Sequence, residues 1–361
     1  MRLAPLALLL PLLLVAGVLS IRGRSPAPPA STARPQRSPV ARGRRVVVVV
    51  DSLRAQLLDQ GVMPELVALS RRPDARRLAI RTCSANFSLP CLQTMFEGRR
   101  SPFSAGLHNF TGRQSAGGSL PELAHSEGLG VAVISDHSLT SLYGRYARRS
   151  VDVSSWKADY LYRDLRSVEE GLAVLSDPKI QLLILHTAGT DKAAHYLRPG
   201  NPKYRHHFRS VDRAVARVIR KLDLSGTDSL VVAGDHGHGP QGHHTRSSVG
   251  IFVGQTYARF FGALDPAPSR VTQHDLLYLF AYPQQLRLPA GYEGRYFVSR
   301  APPPEMARFE QLQQQTLAAR GIAGDTLAAQ AAEVRRRAGH KHVDDLLIHL
   351  PLWLCYLGGL L

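Results

Sequence analysis

Aromatic residues, cysteines and acidic side chains are all scarce in this sequence. Aromatic residues make up 7% of the 361 residues, and no basic helix alternates with them, so nothing resembles a nucleic-acid-binding module. Only three cysteines occur. Cys83 and Cys91 are close enough in sequence to form a disulfide in an exported protein, although two buried free thiols fit equally well. Cys355 lies far away in an apolar tail.

Acidic residues are outnumbered by basic ones. The chain has 28 Asp and Glu against 45 Lys and Arg, for a formal net charge of +17. The excess favours an anionic phosphate ester or an anionic membrane surface as a partner. The alternative is an arginine-rich composition without functional meaning.

The N-terminal part of the chain is predicted to lie outside the folded domain. Residues 1–24 contain an uncharged run, Leu3 to Ile21, behind a single arginine, which is typical of a signal peptide or a signal anchor. Residues 25–44 are rich in Pro, Arg, Ser and Ala and are predicted to form a disordered tether. We therefore expect an exported protein, membrane-anchored or extracytoplasmic, whose N-terminal segment provides the membrane association.

Residues 45–300 are predicted to form one α/β domain. Short apolar runs end repeatedly in polar or glycine-rich turns, and helical spacing occurs between them at Met63–Leu78, Ser167–Leu175 and Tyr204–Leu222. Continuous apolar strands that alternate with helices predict a doubly wound, mostly parallel sheet with helices on both faces. In such folds ligands bind at the carboxyl ends of the strands.

The C-terminal part has a different composition. Residues 301–343 are rich in Ala, Gln, Glu and Arg, which predicts a helical extension with polar faces. Residues 344–361 form an apolar tail whose uncharged run, Leu346–Leu361, is short for a membrane span. Docking on the core, lying at a membrane surface and binding a partner all remain open for this tail.

Two polar residues stand at predicted element boundaries in the first part of the domain. Asp51 directly follows the run VVVVV, and Ser88 lies just before the helical pattern of LPCLQTMFEG. Each could be an ordinary helix cap. A serine at a helix N-terminus also faces positive potential, which favours a nearby anionic group, but its ionisation needs a base or a metal ion as well.

Two further segments combine aspartate with histidine. Asp191 and His195 have the four-residue spacing that places both on one helical face. Asp235 and His236 follow the apolar run SLVVA, and His244 returns after a loop of glycine and proline. Oxygen and nitrogen ligands without a thiolate suit zinc, with manganese or magnesium as alternatives.

Taken in order, these motifs resemble the alkaline phosphatase superfamily of two-metal phosphoryl and sulfuryl transfer enzymes, which includes sulfatase-like and type I phosphodiesterase-like proteins. They are most similar to the catalytic domain of the GPI ethanolamine phosphate transferases. The resemblance covers about Arg45 to Gly254 and rests on the stretches DSLR, SLPCLQTMFEG with HNF after it, HTAGTDKAAHYLRPG and GDHGHGPQGHH. It implies an alkaline-phosphatase-like fold with two divalent metal ions at the strand ends.

The resemblance also implies a role for each matched residue. The implied set is Asp51, Asp235 and His236 with the nucleophile Ser88 on one ion, Asp191, His195 and His244 on the other, and Asn109 on a phosphoryl oxygen. His238 and His243 are left without a role, although His243 could exchange with its neighbour His244. Compared with the family, serine replaces threonine at position 88, and Ala194 replaces a glycine.

The implied function is hydrolysis or transfer of a phosphoric ester through a phosphoserine at Ser88. A phosphodiester such as a phosphoethanolamine-type head group, linked to a lipid or a glycan, fits best as the anionic substrate. A sulfatase-like enzyme is the first alternative, but Leu92 stands where sulfatases carry an arginine. A catalytically inert, metal-binding surface protein is the second alternative.

Overall fold

The computed structural model describes residues 43–101, 105, 114–115, 117–154, 159–334 and 336. The predicted N-terminal segment, nearly all of the tether, the apolar tail and Asn109 lie outside these residues, so their assignments stay predictions. No helix within the described ranges is long and apolar enough to cross a bilayer.

The strands of the described residues are β1 (Arg45–Val50), β2 (Ala75–Arg81), β3 (Val131–Ser135), β4 (Arg149–Asp152), β5 (Leu182–Thr187), β6 (Ser229–Ala233), β7 (Gly237–His238), β8 (His244–Thr245), β9 (Ser247–Val253) and β10 (Arg270–Thr272). An eight-stranded sheet has the order β10-β2-β9-β6-β1-β5-β3-β4, and β7 pairs with β8 in a separate hairpin. β9 runs antiparallel to β2 and β6, whereas the other pairs of the large sheet are parallel.

The α-helices with both ends in the described residues are α1 (Ala55–Asp59), α2 (Pro64–Ser70), α3 (Ser88–Glu97), α4 (Leu120–Ser126), α5 (His137–Tyr143), α6 (Tyr160–Val174), α7 (Gly189–Leu197), α8 (Pro202–Ile219), α9 (Gln255–Gly262), α10 (Leu276–Ala281) and α11 (Pro304–Ala318), and residues 327–334 are helical as well. Short 3₁₀ turns cover Gly144–Tyr146, Gln273–Asp275 and Tyr282–Gln284. α11 begins within the predicted helical extension.

The sheet separates two apolar cores because successive side chains of a strand point to opposite faces. In β1, Val46, Val48 and Val50 pack with the core that includes side chains of α1, α2, α6 and α8. Val47 and Val49 pack with the other core, which includes side chains of α3, α4, α5, α9 and α10. The prediction of a doubly wound, mostly parallel sheet with helices on both faces is confirmed.

The helix predicted at Met63–Leu78 is wrong in its second half. α2 ends at Ser70, and the chain enters β2 at Ala75. Pro73 follows Arg72, and a residue that precedes proline is disfavoured in the helical conformation. Leu78, the last residue of this segment, is buried within β2 instead.

Candidate metal centre

The central strands of the sheet bring the polar residues of the predicted motifs to one edge. Asp51 follows β1, while Asp235 and His236 follow β6, which pairs with β1 on one side. On the other side of β1, β5 leads directly into α7, where Asp191 is the third residue. Parallel neighbours end at the same edge, so these side chains meet at the carboxyl end of the sheet.

The first group of candidate metal ligands consists of Asp51, Asp235 and His236. One ligand atom from each lies within 4.8 Å of the others, and all three residues are buried. The His236 Nε2 atom is 3.4 Å from Asp51 Oδ1 and 3.4 Å from Asp235 Oδ2. The structure therefore brings together the three residues that the resemblance assigns to the first ion.

Ser88 joins this group rather than acting as a helix cap. Ser88 is the first residue of α3, whose N-cap is Phe87, and its Oγ atom lies 3.2 Å from His236 Nε2. Asp51 is not a cap either, because α1 begins at Ala55 with Arg54 as its N-cap. Both candidate caps therefore have side chains that face the ligand cluster.

The second group is arranged around Asp191. Its Oδ1 atom lies 3.4 Å from His244 Nε2 and 3.6 Å from His195 Nε2. His195 lies at the rim, with 39% of its side chain accessible. It is not among the four residues whose ligand atoms all lie within 4.8 Å of one another, which are Asp191, His236, His238 and His244. His236 Nε2 is 4.0 Å from the same Asp191 oxygen, so the two groups adjoin.

His238 also lies in the second group, although the sequence analysis assigned it no role. Its Nε2 atom is 3.6 Å from Asp191 Oδ1, and the residue is 1% exposed. β7 pairs with β8 so that His238 lies opposite His244. His243 is exposed. Of the two adjacent histidines, His244 therefore faces the cluster. The sequence did contain a signal for His238, because it lies two residues after His236, and alternate residues of a strand point to the same side.

Burial shifts the ionisation of the ligand residues. It raises the pKa of Asp51 to about 7, with the charges of Asp235 and Asp191 adding to the effect. Burial also lowers the pKa of His236 to about 4 and that of His238 to about 3. Buried carboxylates close to neutral imidazoles form an environment that a cation would stabilise.

The unpartnered atoms of the cluster fit a bound cation. Asp235 Oδ2, His236 Nδ1 and both ring nitrogens of His238 are buried without a hydrogen-bond partner in the described structure. Such atoms are costly unless something pairs with them. The donor set is made of carboxylate oxygen and imidazole nitrogen, which suits zinc and related divalent ions.

The backbone beside the cluster adopts sparsely populated conformations. Ser52 has a φ of 64°, its N–H donates to Asp235 Oδ1 at 3.2 Å, and its hydroxyl donates to Asp191 Oδ1 at 3.0 Å. Asn86 has a φ of 53°, and its carbonyl oxygen accepts a hydrogen bond from His244 Nδ1. These strained residues hold carboxylates and imidazole of both groups in place.

His186 contacts the Asp51 carboxylate, and the sequence analysis did not identify it as a site residue. This last-but-one residue of β5 is buried, with Nε2 3.4 Å from Asp51 Oδ2 and Nδ1 2.9 Å from Ser135 Oγ. Burial disfavours its charged form, yet the nearby carboxylates of Asp136 and Asp51 raise its pKa well above the usual value. A histidine that ends an apolar strand was the signal for this role.

A buried carboxyl, that of Asp164, fixes the start of α7. Asp164 Oδ1 accepts a hydrogen bond from the Gly189 N–H at 2.7 Å, and Asp164 Oδ2 lies 2.7 Å from His207 Nε2. A Cβ atom on Gly189 would lie 2.3 Å from the Tyr160 carbonyl oxygen, so glycine is required there. The contact orients the helix that carries Asp191.

A disulfide joins Cys83 to Cys91 and encloses Ser88 in the loop between them. The disulfide alternative of the sequence analysis is thus the one that the structure contains. Gln273 supports the same loop, because its side-chain oxygen accepts from the Cys83 N–H and its amide nitrogen donates to the Asp235 carbonyl. The loop that carries Ser88 is therefore tied to the end of β6.

Comparison with known proteins supports the architecture. Residues 135–248 match the family model of type I phosphodiesterase / nucleotide pyrophosphatase, a span that includes Asp191, His195, Asp235, His236 and His244. Asp51 and Ser88 lie outside the match. No curated protein matches the sequence of this chain.

Solved structures share the fold at low sequence identity. The C-terminal periplasmic domain of EcEptC from Escherichia coli is 15% identical with a TM-score of 0.53, covering 74% of this chain and 88% of that one. A second structure of that domain is a complex with Zn, at 16% identity, a TM-score of 0.52 and the same coverage.

Two other proteins extend this similarity. A TAB5 alkaline phosphatase mutant with Mg bound is 11% identical, with a TM-score of 0.51 and coverage of 68% and 99% of the two chains. The 2-O GAG sulfatase BT1596 is 12% identical, with a TM-score of 0.51 and coverage of 73% and 76%. The resemblance to the alkaline phosphatase superfamily is confirmed in the fold.

Proposed function

We propose that this protein is a two-metal phosphoric ester hydrolase or phosphotransferase in which Ser88 is the nucleophile. The observation that carries the proposal is the 3.2 Å distance between Ser88 Oγ and His236 Nε2, at the N-terminus of α3 and beside a buried cluster of carboxylates and imidazoles. A serine that only caps a helix, or one at the protein surface, would not lie beside such a cluster.

The residues divide between two ions. Asp51, Asp235 and His236 would hold one ion next to Ser88, and Asp191, His195 and His244 would hold the other, with His238 as a further ligand of the second. Zinc is favoured by the nitrogen-rich second group, and the Zn complex of the EcEptC domain is in line with this choice. Two divalent ions at such a centre supply Lewis-acid stabilisation of an ionised hydroxyl and of phosphoryl oxygens.

The chain's own residues then account for a two-step reaction. Ser88 Oγ attacks phosphorus, the bond from phosphorus to the leaving oxygen breaks, and a phosphoserine forms. Water or an acceptor alcohol next attacks the phosphoserine and releases Ser88 Oγ. The positive potential at the N-terminus of α3 stabilises the phosphoryl oxygens in both steps. Ser52 and His186 orient the Asp51 carboxylate.

The substrate we propose is an anionic phosphodiester such as a phosphoethanolamine-type head group on a lipid or a glycan. The match to a type I phosphodiesterase model and the fold shared with a periplasmic EcEptC domain support this class and an extracytoplasmic location. Asn109, which lies outside the described residues, would bind a phosphoryl oxygen.

Metal analysis coupled to a substrate panel tests the proposal. The purified protein should contain up to two zinc, manganese or magnesium ions and should hydrolyse aryl phosphate monoesters or diesters until a chelator removes the metal. Turnover of aryl sulfates alone, with formylglycine at position 88 in the mass spectrum, would establish the sulfatase-like alternative. Full metal occupancy without turnover of any ester would establish the inert alternative.

A further inference from the structure

The exposed face of α8 carries a line of arginines. Residues four apart lie on the same side of a helix, and all members of this line are exposed. The line continues past the C-terminal end of the helix. We call it the basic stripe, and it consists of Arg205, Arg209, Arg213, Arg217, Arg220 and Lys221.

The basic stripe is not explained by the fold. Like charges four residues apart destabilise a helix, and α8 already buries its opposite face through residues such as Tyr204, Phe208 and Val215. Among the ion pairs of the described residues, the stripe contributes one, between Arg217 and Glu169. The concentration of positive charge therefore favours an anionic partner outside this chain.

A cleft of about 650 Å³ opens at the C-terminal end of the stripe, between α6 and α8. It is lined by Glu169, Leu172, Ala173, Ser176, Arg217, Arg220 and Lys221. This volume suits a small phosphate-bearing group. Arg217 pairs with Glu169, which leaves Arg220 and Lys221 as the lining cations that form no ion pair among the described residues. The cleft thus extends the stripe into a pocket for one anionic headgroup.

Arg44, which directly precedes β1, contacts the domain beside this cleft. The Arg44 guanidinium donates to the Leu175 carbonyl at 3.1 Å and to the Lys221 carbonyl at 3.0 Å, just past the ends of α6 and α8. The apolar run Leu3 to Ile21 precedes it. Residues 22–43 lie between the run and Arg44 and span at most about 80 Å when fully extended, so a membrane-inserted run would hold the stripe within that distance of the same bilayer.

We propose that the basic stripe and the α6/α8 cleft bind a bilayer surface that carries anionic lipid headgroups. α8 lies along the surface, and a headgroup phosphate enters the cleft between Arg217 and Lys221. The binding is electrostatic and weakens as the salt concentration rises.

Vesicle flotation with the full chain tests this proposal. The protein should partition more strongly onto vesicles of phosphatidylcholine mixed with phosphatidylglycerol than onto phosphatidylcholine alone, and salt should reduce the difference. The triple variant Arg205→Gln, Arg209→Gln and Arg213→Gln should lower the partition onto anionic vesicles by about 100-fold. Its binding to neutral vesicles, which depends on the apolar run, should not change.

The matched control removes the same charge elsewhere. Arg270, Arg300 and Arg308 are exposed and lie outside α8 and α6, so their triple replacement by glutamine should leave the preference for anionic vesicles nearly intact. Equal losses in the two triple variants would reduce the effect to net charge and overturn the proposal. Stripe-dependent binding to duplex RNA, without binding to anionic vesicles, would overturn it as well.

Two readouts separate this proposal from failure of folding or of the proposed function. The thermal midpoint of the stripe variant should equal or exceed that of the original chain, because like-charge pairs are removed. Turnover of a soluble aryl phosphate should be the same in both, since the stripe does not contact the metal centre. If the stripe variant has a lower thermal midpoint, Arg209→Gln alone replaces it, and its partition onto anionic vesicles should fall by about fivefold.

Discussion

The Nε2 atoms of His195 and His244 lie 2.8 Å apart, although 49 residues separate the two histidines in sequence. One of the two nitrogens must carry the hydrogen. Burial lowers the pKa of His195. For His244, the interactions with the Asp191 carboxylate and with the Asn86 carbonyl oxygen outweigh burial and raise the pKa to about 8. His244 is therefore the donor in the metal-free protein, and an ion at this place must displace its proton.

The metal-free protein should lose stability as the pH rises from 6.5 to 8. The folded state raises the pKa of His244 from 6.5 to about 8, so its stabilisation is complete below pH 6.5 and is lost as the pH rises through 8. The loss should be about 2 kcal/mol at most. Asp51, whose pKa is raised to about 7, acts in the same direction up to that pH.

Urea unfolding of the chelated protein at the two pH values measures this loss. His244→Gln should flatten the dependence, while His243→Gln, which changes an exposed neighbour, should leave it as it is. Burial lowers the pKa of His236 to about 4 and that of His238 to about 3, so only their unfolded forms lose protons in this window, and each residue offsets the loss by about 0.4 kcal/mol. An unchanged slope in His244→Gln would contradict the assignment.

Ser88→Ala should abolish the phosphoenzyme and reduce turnover by at least about 1,000-fold, because no hydroxyl remains beside His236. Ser88→Thr keeps the hydroxyl and should retain both the phosphoenzyme and substantial turnover. Rapid acid quenching with a radiolabelled phosphodiester, followed by peptide mapping, measures the covalent species. A normal phosphoenzyme in Ser88→Ala would place the nucleophile at another residue.

His238→Gln should weaken metal binding at the Asp191 group by about 10- to 100-fold, since a buried imidazole 3.6 Å from Asp191 is lost. His243→Gln is the matched control in the same loop and should bind metal normally. Competition with a chromogenic chelator gives both affinities. Equal affinities in the two variants would exclude His238 from the metal centre.

The Cys83→Ala, Cys91→Ala double variant should be less stable by about 2–3 kcal/mol, because the disulfide closes a short loop with a sequence separation of 8. Adding a reductant should destabilise the original chain by a similar amount and should not affect the variant. Denaturant unfolding measures both. A variant as stable as the original, with the original insensitive to reductant, would show that the disulfide does not form.

Much of the fold followed from local patterns. Buried runs such as VVVVV and SLVVA could only be strands of a sheet covered on both faces, and the residues that follow them, Asp51 and Asp235, had to lie at its carboxyl edge. The secondary-structure prediction failed where the same apolar pattern was compatible with a helix and with a strand. Leu78 continued the helical spacing of α2, but Pro73 ended that helix and Leu78 became part of β2.

The sequence alone determined the class of fold, the residue types of the metal centre and the motif order behind the resemblance, because these depend on local hydrophobic patterns and on side-chain chemistry. Only the tertiary structure decided which side chains converge. The pairing of β7 with β8 turns His238 and His244 inward and leaves His243 outside, and the neighbouring positions of β5 and β1 bring His186 against Asp51. Such contacts join residues far apart in the chain, and strand order and register set them.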